Sequence, residues 1–277
     1  MFEVQELWTQ QDGFALDLCI GAVARDHIER ALLAVEGAAP EAQRAAERTL
    51  QTWAERLGPI PEHAAGQVDH LRALLVQELG FRGDADEYNH PDNSHLTVVL
   101  SRRRGLPILL SAIWMVVGRH AGIPVAGIGL PGHFVVRVGE APGVFVDPFN
   151  GGATLTEADC RKKAEEMTEG ALDWRESFLD PVNAQALVSR VCRNLVSAHN
   201  RRHEVSALYR TLRFLEAMRP EDPDIPLMRA QVAESAGAFP RALKIYRAIA
   251  QQFSQSEAAE QARERLQALE RLPVAEG

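Results

Sequence analysis

The chain has 277 residues, of which 46% are hydrophobic and 25% are charged, a composition typical of a folded globular protein. Its net charge of −8 provides no general positive surface for nucleic acid, and its longest run of arginines is Arg102-Arg103-Arg104. No stretch approaches the roughly 20 consecutive apolar residues that a membrane-spanning helix needs. We therefore expect neither nucleic acid nor a membrane as a partner, and we expect the three arginines to form a solvated helix face or to brace the core.

The cellular location is predicted from the first residues and from the cysteines. The first twelve residues include three acidic residues and no basic one, and no long apolar run follows them, so no secretory signal is expected. Cys19, Cys160 and Cys192 are odd in number and far apart, which indicates reduced thiols rather than a disulfide framework. Both features favour a cytoplasmic protein.

The first 80 residues follow a helical pattern. Apolar residues recur at helical spacing in three segments, and Gly58-Pro59-Ile60-Pro61 interrupts them before the third. We assign residues 1–80 to an N-terminal helical region that packs on the following domain.

A polar loop containing Tyr88 comes next and leads into a short helix. Asn93 or Ser94 is the predicted cap of that helix. Gly105 is expected to end it, because glycine adopts the left-handed conformation without strain. Pro107 then begins another helix at the first-turn position, where the missing N–H costs nothing.

That second helix, about residues 107–120, is apolar on all sides, which predicts burial. Three short strands follow at 125–130, 133–138 and 144–147, separated by turns rich in proline and glycine, as in an antiparallel meander. Thr156 and Asp159 have the spacing that caps a further helix. Residues 81–179 therefore form the predicted core domain.

From residue 180 to 277 the pattern becomes a helical repeat. Aligned with itself at an offset of 34, this segment shows tetratricopeptide-like spacing at Gly237 and Tyr246, and His203 stands where the earlier unit would have its turn glycine. Two units are few for an independent solenoid, so we expect the tail to pack against the core rather than to present a groove. If a groove is open, its candidate residues are Tyr209, Arg213, Arg229 and Tyr246.

Four runs of residues carry a resemblance to a known family. They are Leu79-Gly80-Phe81-Arg82-Gly83, Tyr88-Asn89-His90-Pro91-Asp92-Asn93-Ser94, Arg103-Arg104-Gly105-Leu106-Pro107 and Leu130-Pro131-Gly132-His133-Phe134. Together they resemble the bacterial SirB-type invasion-regulator family, over nearly the whole chain. The resemblance implies a mostly helical α+β fold: N-terminal helices, a transglutaminase-like core with a small antiparallel sheet, and a tetratricopeptide-like tail.

The core also resembles the wider transglutaminase-like pattern of Gly-x-Cys at a helix start, a Gly-Ile-Pro turn, a His strand and an Asp strand. Gly105 matches the glycine, Gly122-Ile123-Pro124 matches the turn, and His133 and Asp147 match the catalytic pair. Pro107 falls at the position of the nucleophilic cysteine. A thiol there would be activated by the helix dipole and the imidazolium, whereas proline offers no nucleophile.

Serines and cysteines elsewhere in the chain are alternative nucleophiles, and each also has a structural explanation. Ser111 lies one turn after Pro107 and is expected to be buried, with its hydroxyl returned to the Pro107 carbonyl. Ser94 is a weaker candidate, because a capping role explains it. Cys160, near a helix start, is a candidate for a lowered thiol pKa, whereas Cys19 and Cys192 lie on apolar helix faces and are expected in the core.

The His133–Asp147 pair has a structural and a catalytic interpretation. It either holds the sheet edge as the remnant of an enzyme, or polarises water or a bound amide as a general base. His90, Asp92 and His95 add potential ligands, but no short ligand spacing supports a metal, so we expect no metal, no cofactor and solvent-exposed loop histidines.

Two functional hypotheses follow. The first is a non-catalytic module that binds a protein or peptide through the remnant cleft and the tail. Under this hypothesis the chain is not an enzyme. The alternative is an amide hydrolase or transamidase that uses His133 and Asp147 with water or a non-standard nucleophile. The residues predicted to line the cleft are Pro107, Tyr88, Asn93, His95, Gly132 and Phe134.

Overall fold

The computed structural model describes residues 7–271, and helix makes up 63% of the structure. The chain divides into two compact units, the larger formed by residues 18–191 and the smaller by the segment up to residue 17 together with the segment from residue 192. The chain passes between the units within α1 (Gln10–Val23) and within α8 (Ala184–Arg201). The division into three parts at residues 80 and 180 stays a prediction.

The larger unit contains six complete helices and three shorter turns. The helices are α2 (Ile28–Glu36), α3 (Pro40–Glu55), α4 (Ala64–Arg72), α5 (Leu96–Arg102), α6 (Pro107–Ala121) and α7 (Glu157–Met167). A π-helical turn, Ala73–Glu78, continues α4, and 3-10 turns lie at Pro91–Ser94 and Glu176–Leu179.

The strands of the larger unit form two sheets. The short strands β1 (Arg82–Gly83) and β2 (Arg104–Gly105) pair in parallel. A four-stranded antiparallel sheet follows in sequence order, made of β3 (Val125–Ile128), β4 (Val135–Val138), β5 (Val144–Asp147) and β6 (Ala153–Leu155). The predicted small antiparallel sheet is confirmed, but β6 was missed because it is only three residues long and mostly exposed.

Helix α6 is buried as its composition predicts, with Pro107 at its first position and Gly122 closing it in the left-handed conformation at a φ of 75°. It approaches the sheet closely at Gly118, where an added Cβ would lie 2.4 Å from the Val125 side chain. Close approach of backbone to side chain is the reason that glycine is needed there. The last turn of α6 therefore lies directly against β3.

The ends of α5 differ from the sequence prediction. Arg103, not Gly105, supplies the left-handed residue, with a φ of 59°. Its guanidinium lies 4.5 Å from the ring centre of Trp53 and 5.0 Å from that of Phe81, and this cation–π packing offsets the cost of a left-handed arginine. Arg103 therefore braces the core. Its neighbours Arg102 and Arg104 form ion pairs with acidic residues of the preceding loop, as expected for a solvated face.

The start of α5 also differs. His95 is its N-cap and makes no side-chain capping bond, so the cap predicted at Asn93 or Ser94 is wrong. Those two residues belong instead to the 3-10 turn that precedes α5, and the turn places both of them in the interior. The cap predicted at the start of α7 is confirmed, since the side chains of Thr156 and Asp159 each accept a hydrogen bond from the other residue's backbone amide.

One face of the antiparallel sheet is covered by α7. Ile128 and Val135 are cross-strand partners on this face, and Phe145 packs beside them. Cys160, from the first turn of α7, completes the cluster and is fully buried. The cysteine therefore serves as a small core residue in this arrangement.

The described part of the smaller unit contains four complete helices. They are α9 (Val205–Met218), α10 (Asp224–Ser235), α11 (Phe239–Gln252) and α12 (Glu257–Glu270). The same turn occurs twice, 34 residues apart, with left-handed residues at His203 (φ 56°) and Gly237 (φ 75°). In both turns the backbone amide after the left-handed residue donates to the carbonyl five residues earlier. The distances are 3.0 Å from the Glu204 amide to the His199 carbonyl and 2.9 Å from the Ala238 amide to the Ala233 carbonyl. His203 thus takes the conformation predicted for the missing turn glycine.

Within the described residues, no helix combines the length and the hydropathy needed to cross a membrane.

Candidate functional site

His133 and Asp147 form a buried pair between neighbouring strands of the sheet. His133 lies two residues before β4, and Asp147 is the last residue of β5, so the β4–β5 pairing brings their side chains together. The distance from His133 Nε2 to Asp147 Oδ2 is 2.9 Å. His133 is 6% exposed and Asp147 is fully buried. The pair is thus shielded from bulk water, which strengthens its electrostatic interaction.

The Asp147 carboxylate is held by donors on both oxygens. Oδ1 accepts from the backbone amides of Phe149 (3.1 Å) and Asn150 (3.2 Å). Oδ2 accepts from the Asn150 side-chain amide at 2.7 Å, in addition to His133. The turn after β5 therefore wraps around the carboxylate and fixes its orientation.

The environment of Asp147 keeps it ionised. Burial acts to raise its pKa, but the hydrogen bond and charge of His133, the Asn150 amide and the Lys163 charge outweigh burial and lower the pKa to about 2. At neutral pH the carboxylate accepts the Nε2 proton of His133. The other ring nitrogen, Nδ1, then carries the lone pair that could act as a base.

Lys163 of α7 is a third charged group at this pair. Its Nζ lies 3.2 Å from Asp147 Oδ2, and its side chain is half-buried. Because the helix cap fixes the start of α7, the lysine reaches the carboxylate from a defined position one turn after Cys160. The ammonium compensates the buried carboxylate when the imidazole is neutral.

One aromatic ring packs against the imidazole, and a second ring packs against the first. The Phe149 ring stands edge-on to the His133 ring with 6.0 Å between centroids, and Tyr88 contacts Phe149 in the same way at 5.9 Å. Gly83 makes room for Phe149, since an added Cβ would lie 2.6 Å from its ring. The amide of Gly83 also donates to the Phe149 carbonyl at 3.1 Å. Partial burial raises the pKa of Tyr88, although the charge of Arg190 acts against the rise.

Arg190 of α8 fixes the turn that carries the histidine. Its Nη2 donates to the carbonyls of Leu130 (2.7 Å) and His133 (2.6 Å), and its guanidinium lies 5.5 Å from the ring centre of Phe134. A planar, permanently charged donor suits this double contact better than lysine would. The turn before β4 is therefore held from the helix side as well as by the sheet.

A family model described as the transglutaminase-like superfamily matches residues 38–193, which is more than half of the chain. The chain belongs to the transglutaminase-like superfamily. The match spans α3 to α7, the first half of α8, the antiparallel sheet and the His133–Asp147 pair, so it covers the core that holds the site.

Curated relatives include bacterial and animal proteins. The chain is 41% identical over 133 residues to a UPF0162 protein of Xylella fastidiosa, covering 47% of each chain. It is 28% identical over 155 residues to a UPF0162 protein of Pseudomonas aeruginosa, covering 55% of this chain and 57% of that one. F-box only protein 21 of Mus musculus is 27% identical over 186 residues, covering 62% of this chain and 28% of its own length.

The matches thus span about half of the first bacterial relatives and less of the animal one. No solved structure matches the chain.

At the transglutaminase-like helix start, the structure places Pro107 in the first turn of α6, buried. Ser111 is fully buried as expected, but its hydroxyl does not return to the Pro107 carbonyl. In the described part of the chain it has no hydrogen-bond partner and packs within the apolar surroundings of α6. A hydroxyl with no base beside it is not activated as a nucleophile.

The remaining residues predicted to line the transglutaminase-like cleft divide by exposure. Tyr88 and Gly132 are exposed, and His95 is half-buried. Asn93, Ser94 and Phe134 are buried, because the 3-10 turn and the start of β4 direct them into the interior. Asn93 is tied to the loop through its side-chain amide, which donates to the Glu87 carbonyl at 2.8 Å. These three are therefore inaccessible to a ligand in this conformation.

The predictions are confirmed for two of the cysteines and are wrong for the third. Cys19 and Cys192 are buried, as predicted. The prediction of a lowered pKa for Cys160 is wrong: burial, followed by the charges of Asp159 and Asp147, raises its pKa to about 12. Burial likewise raises the pKa of Cys19 to about 12. Both are protonated thiols at neutral pH.

The potential metal ligands named in the loop are His90, Asp92 and His95. Among residues 7–271, no group of three or more His, Cys, Asp or Glu side chains is arranged to hold a metal ion. His90 is half-buried rather than exposed, since its Nδ1 accepts from the Asp92 amide at 3.3 Å.

Sequence reasoning missed four contributors to the transglutaminase-like site: Phe149, Asn150, Lys163 and Arg190. An asparagine three residues after an aspartate is a recognisable turn signal, so Asn150 was within reach of a sequence argument. Lys163 and Arg190 carry no such signal, because they arrive from α7 and α8, far along the chain.

Proposed function

We propose that this chain is a non-catalytic, transglutaminase-like protein that binds a protein or peptide partner. The observation that carries the proposal is Pro107 in the first turn of α6, at the position where the family pattern has its nucleophilic cysteine. Covalent thiol catalysis requires a thiolate near the imidazole, and proline cannot supply one. The pair of His133 and Asp147 then serves recognition or architecture.

The aromatic cover supports binding rather than turnover. Phe149 lies against the His133 ring, and exposed Tyr88 lies against Phe149, so the aromatic surface beside the pair reaches the outside of the protein. Tyrosine beside a second aromatic ring is typical of protein-binding surfaces, because it provides large contact area at low entropic cost.

The proposal extends to the closer family, the tail and the location. We infer a SirB-type protein with a tetratricopeptide-like tail, supported by the four residue runs named above and by the turn that recurs at His203 and Gly237. The net charge of −8 supports a protein partner rather than nucleic acid. Cytoplasmic location is part of the same proposal and is supported by the reduced cysteines.

Affinity capture with competition tests the proposal. Tagged full-length protein is incubated with cell lysate, and retained proteins are identified by mass spectrometry while untagged protein is added in increasing amounts. We expect at least one partner whose capture is competed to completion by the wild type but more weakly by Tyr88→Ala. Exposed Asn89→Ala, the adjacent residue, is the matched control and should compete as the wild type does. Absence of any competable partner contradicts the proposal.

A second candidate function is an amide hydrolase, and the intact His133–Asp147 pair favours it. In this scheme Nδ1 of His133 removes a proton from water as the water oxygen attacks the amide carbon. The same proton then passes to the leaving nitrogen as the C–N bond breaks, giving an acid and an amine. Asp147, ionised and bonded to Nε2, stabilises the imidazolium between the two steps.

Release of ammonia from a glutamine-containing peptide distinguishes the two functions. The hydrolase predicts turnover by the wild type that His133→Ala abolishes and that Asp147→Asn reduces strongly. The binding proposal predicts that the wild type releases no more ammonia than His133→Ala does. A difference between these two proteins would replace the binding proposal by the hydrolase.

A further inference from the structure

A cavity of about 190 Å³ lies among α9, α10 and α11 of the smaller unit. We call it the tail pocket, and the residues that define it are Arg213, Glu216, Arg229, Ile245, Ile249 and Phe253. Two of them, Arg213 and Arg229, are among the residues expected to line a groove if the tail has one. Tyr246, which was also expected to line such a groove, does not line the tail pocket. It is fully buried, and its hydroxyl donates to Glu234.

The tail pocket carries a surplus positive charge. Glu216 is its single carboxylate, and Arg229 occupies both oxygens of that carboxylate, at 2.7 Å through Nε and 3.3 Å through Nη2. Arg229 is nine-tenths buried and also donates to the Tyr209 hydroxyl at 2.8 Å. Two guanidinium groups therefore face one carboxylate.

Arg213 is the arginine available to a ligand. Its guanidinium lies 3.5 Å from Glu216 Oε1, an oxygen already bonded to Arg229, and its side chain is 39% exposed. An exposed ion pair of this length contributes little to stability, so exchanging it for a closer carboxylate costs little. Arginine binds carboxylates with two parallel hydrogen bonds, which gives both strength and orientation.

The size of the tail pocket limits the occupant to one apolar group. A cavity of roughly 150 Å³ holds benzene, whereas pockets for whole drug-sized ligands have roughly 300 Å³ or more. At about 190 Å³, the space beside Ile245, Ile249 and Phe253 accommodates a single leucine or phenylalanine side chain. The remainder of such a ligand would extend outward, as an anchored peptide does.

Both recognition elements line one small cavity, so a residue that carries an apolar side chain and a carboxylate together fits it without a second residue. A C-terminal residue meets this condition because its side chain and its carboxylate share one Cα. An internal acidic residue does not, because its carboxylate replaces the apolar side chain. We propose that the tail pocket binds the apolar C-terminal residue of a protein partner and pairs its carboxylate with Arg213. This inference rests on the proposed binding function.

Methyl NMR of the full-length protein, labelled at isoleucine methyl groups, tests the inference with small probes. N-acetyl-leucine carries both the apolar side chain and the free carboxylate, and N-acetyl-leucinamide lacks only the charge. We expect the acid to shift the Ile245 and Ile249 methyl signals saturably, and the amide to bind at least about tenfold more weakly because a charge-assisted bond is lost. N-acetyl-aspartate α-amide, which has an acidic but no apolar side chain, should leave both signals unchanged.

Two variants separate recognition from general perturbation. Arg213→Gln removes the partly exposed guanidinium, and its affinity for N-acetyl-leucine should fall to the affinity of the wild type for N-acetyl-leucinamide. Arg247→Gln, on α11 but paired with Glu270 at 3.1 Å outside the tail pocket, is the matched control and should bind the acid normally. Equal binding of acid and amide, an unchanged Arg213→Gln, or no shift of either methyl signal by N-acetyl-leucine would each overturn the inference.

The affinity capture described above keeps this failure distinct from failure of the proposed function. If a competable partner exists and Arg213→Gln captures it as the wild type does, binding stands and the tail pocket is excluded as the site. If the probes bind but no partner is found, the pocket chemistry stands and the proposed function loses its support.

Discussion

Asp147 is the residue whose protonation matters most for the site. Its pKa lies at about 2 in the folded protein against an ordinary value of 3.8. A carboxyl whose pKa is lower in the folded state contributes stability that is fully present above about pH 4 and is lost as the pH falls towards the folded pKa. A shift of nearly two pH units corresponds to about 2 kcal/mol.

We therefore predict that Asp147→Asn lowers the free energy of unfolding by about 2 kcal/mol at pH 7. The difference from the wild type should shrink between pH 4 and pH 2, because the wild-type carboxylate becomes protonated there. Urea unfolding followed by circular dichroism at each pH measures it. Exposed Asp173→Asn is the control and should change little at any pH. A gap that is as large at pH 2 as at pH 7 would contradict the assignment.

Gly83 is the residue on which the aromatic cover of His133 depends. In Gly83→Ala the new Cβ would lie 2.6 Å from the Phe149 ring, so the ring must move. We expect a loss of about 1–3 kcal/mol of stability, typical of overpacking. Because Phe149 stands 6.0 Å from the His133 ring, its displacement should also change the chemical shifts of the imidazole protons.

The control for this substitution is Gly21→Ala in α1, where the nearest atom to an added Cβ is the flexible Arg25 guanidinium at 3.4 Å. There the helix propensity of alanine should make the change neutral or stabilising by up to about 1 kcal/mol. If Gly83→Ala proves equally harmless and leaves the imidazole signals in place, Phe149 does not depend on Gly83 for its position.

At the scale of elements, α7 links the helix cap to the site. Thr156 and Asp159 bond reciprocally at its start, and Lys163, one turn later, reaches Asp147. Thr156→Ala should cost about 1 kcal/mol, the usual effect of losing an N-cap. Amide exchange in the first turns of α7 should accelerate, whereas exchange in β4 should not. Thr156→Ser keeps the hydroxyl and should behave as the wild type; equal losses in both variants would exclude the cap as the cause.

Elements with a strong local signal were predictable from the sequence. Helix α6 is apolar on all sides and starts with proline, and the β3–β5 meander is bounded by glycine and proline turns. The ends of α5 were not predictable, because packing of Arg103 on Trp53 and Phe81 decides where the left-handed residue falls. A contact between distant helices overrides the local preference for glycine.

The candidate site was predictable only where neighbouring strands form it. His133 and Asp147 follow from the strand order, because adjacent antiparallel strands bring their ends together. Arg190 and Lys163 come from helices whose docking leaves no trace in local sequence. Burial of Asn93 and Phe134 was equally hidden, since both were predicted to line the cleft and the structure places both in the interior.

At the scale of the whole molecule, the thiols are distributed over both units and all three are buried. Cys19 and Cys160 lie in the larger unit and Cys192 in the smaller one. Because the thiolate is the reactive form and the pKa of Cys19 and of Cys160 is about 12, reaction with a disulfide reagent near neutral pH requires opening of the larger unit. Thiol accessibility therefore reports unfolding and also tests for a hidden nucleophile.

We predict that native protein reacts only slowly with dithionitrobenzoate at pH 8, and that protein unfolded in urea releases the dye for all three cysteines. Cys160→Ser should remove one of the three equivalents in urea without altering the native rate. Rapid stoichiometric labelling of one thiol in the native protein would contradict the prediction, and tryptic mapping would identify that thiol. Labelling at Cys160 would reveal a thiolate on the helix that contacts Asp147, in which case the argument from Pro107 would no longer exclude covalent catalysis.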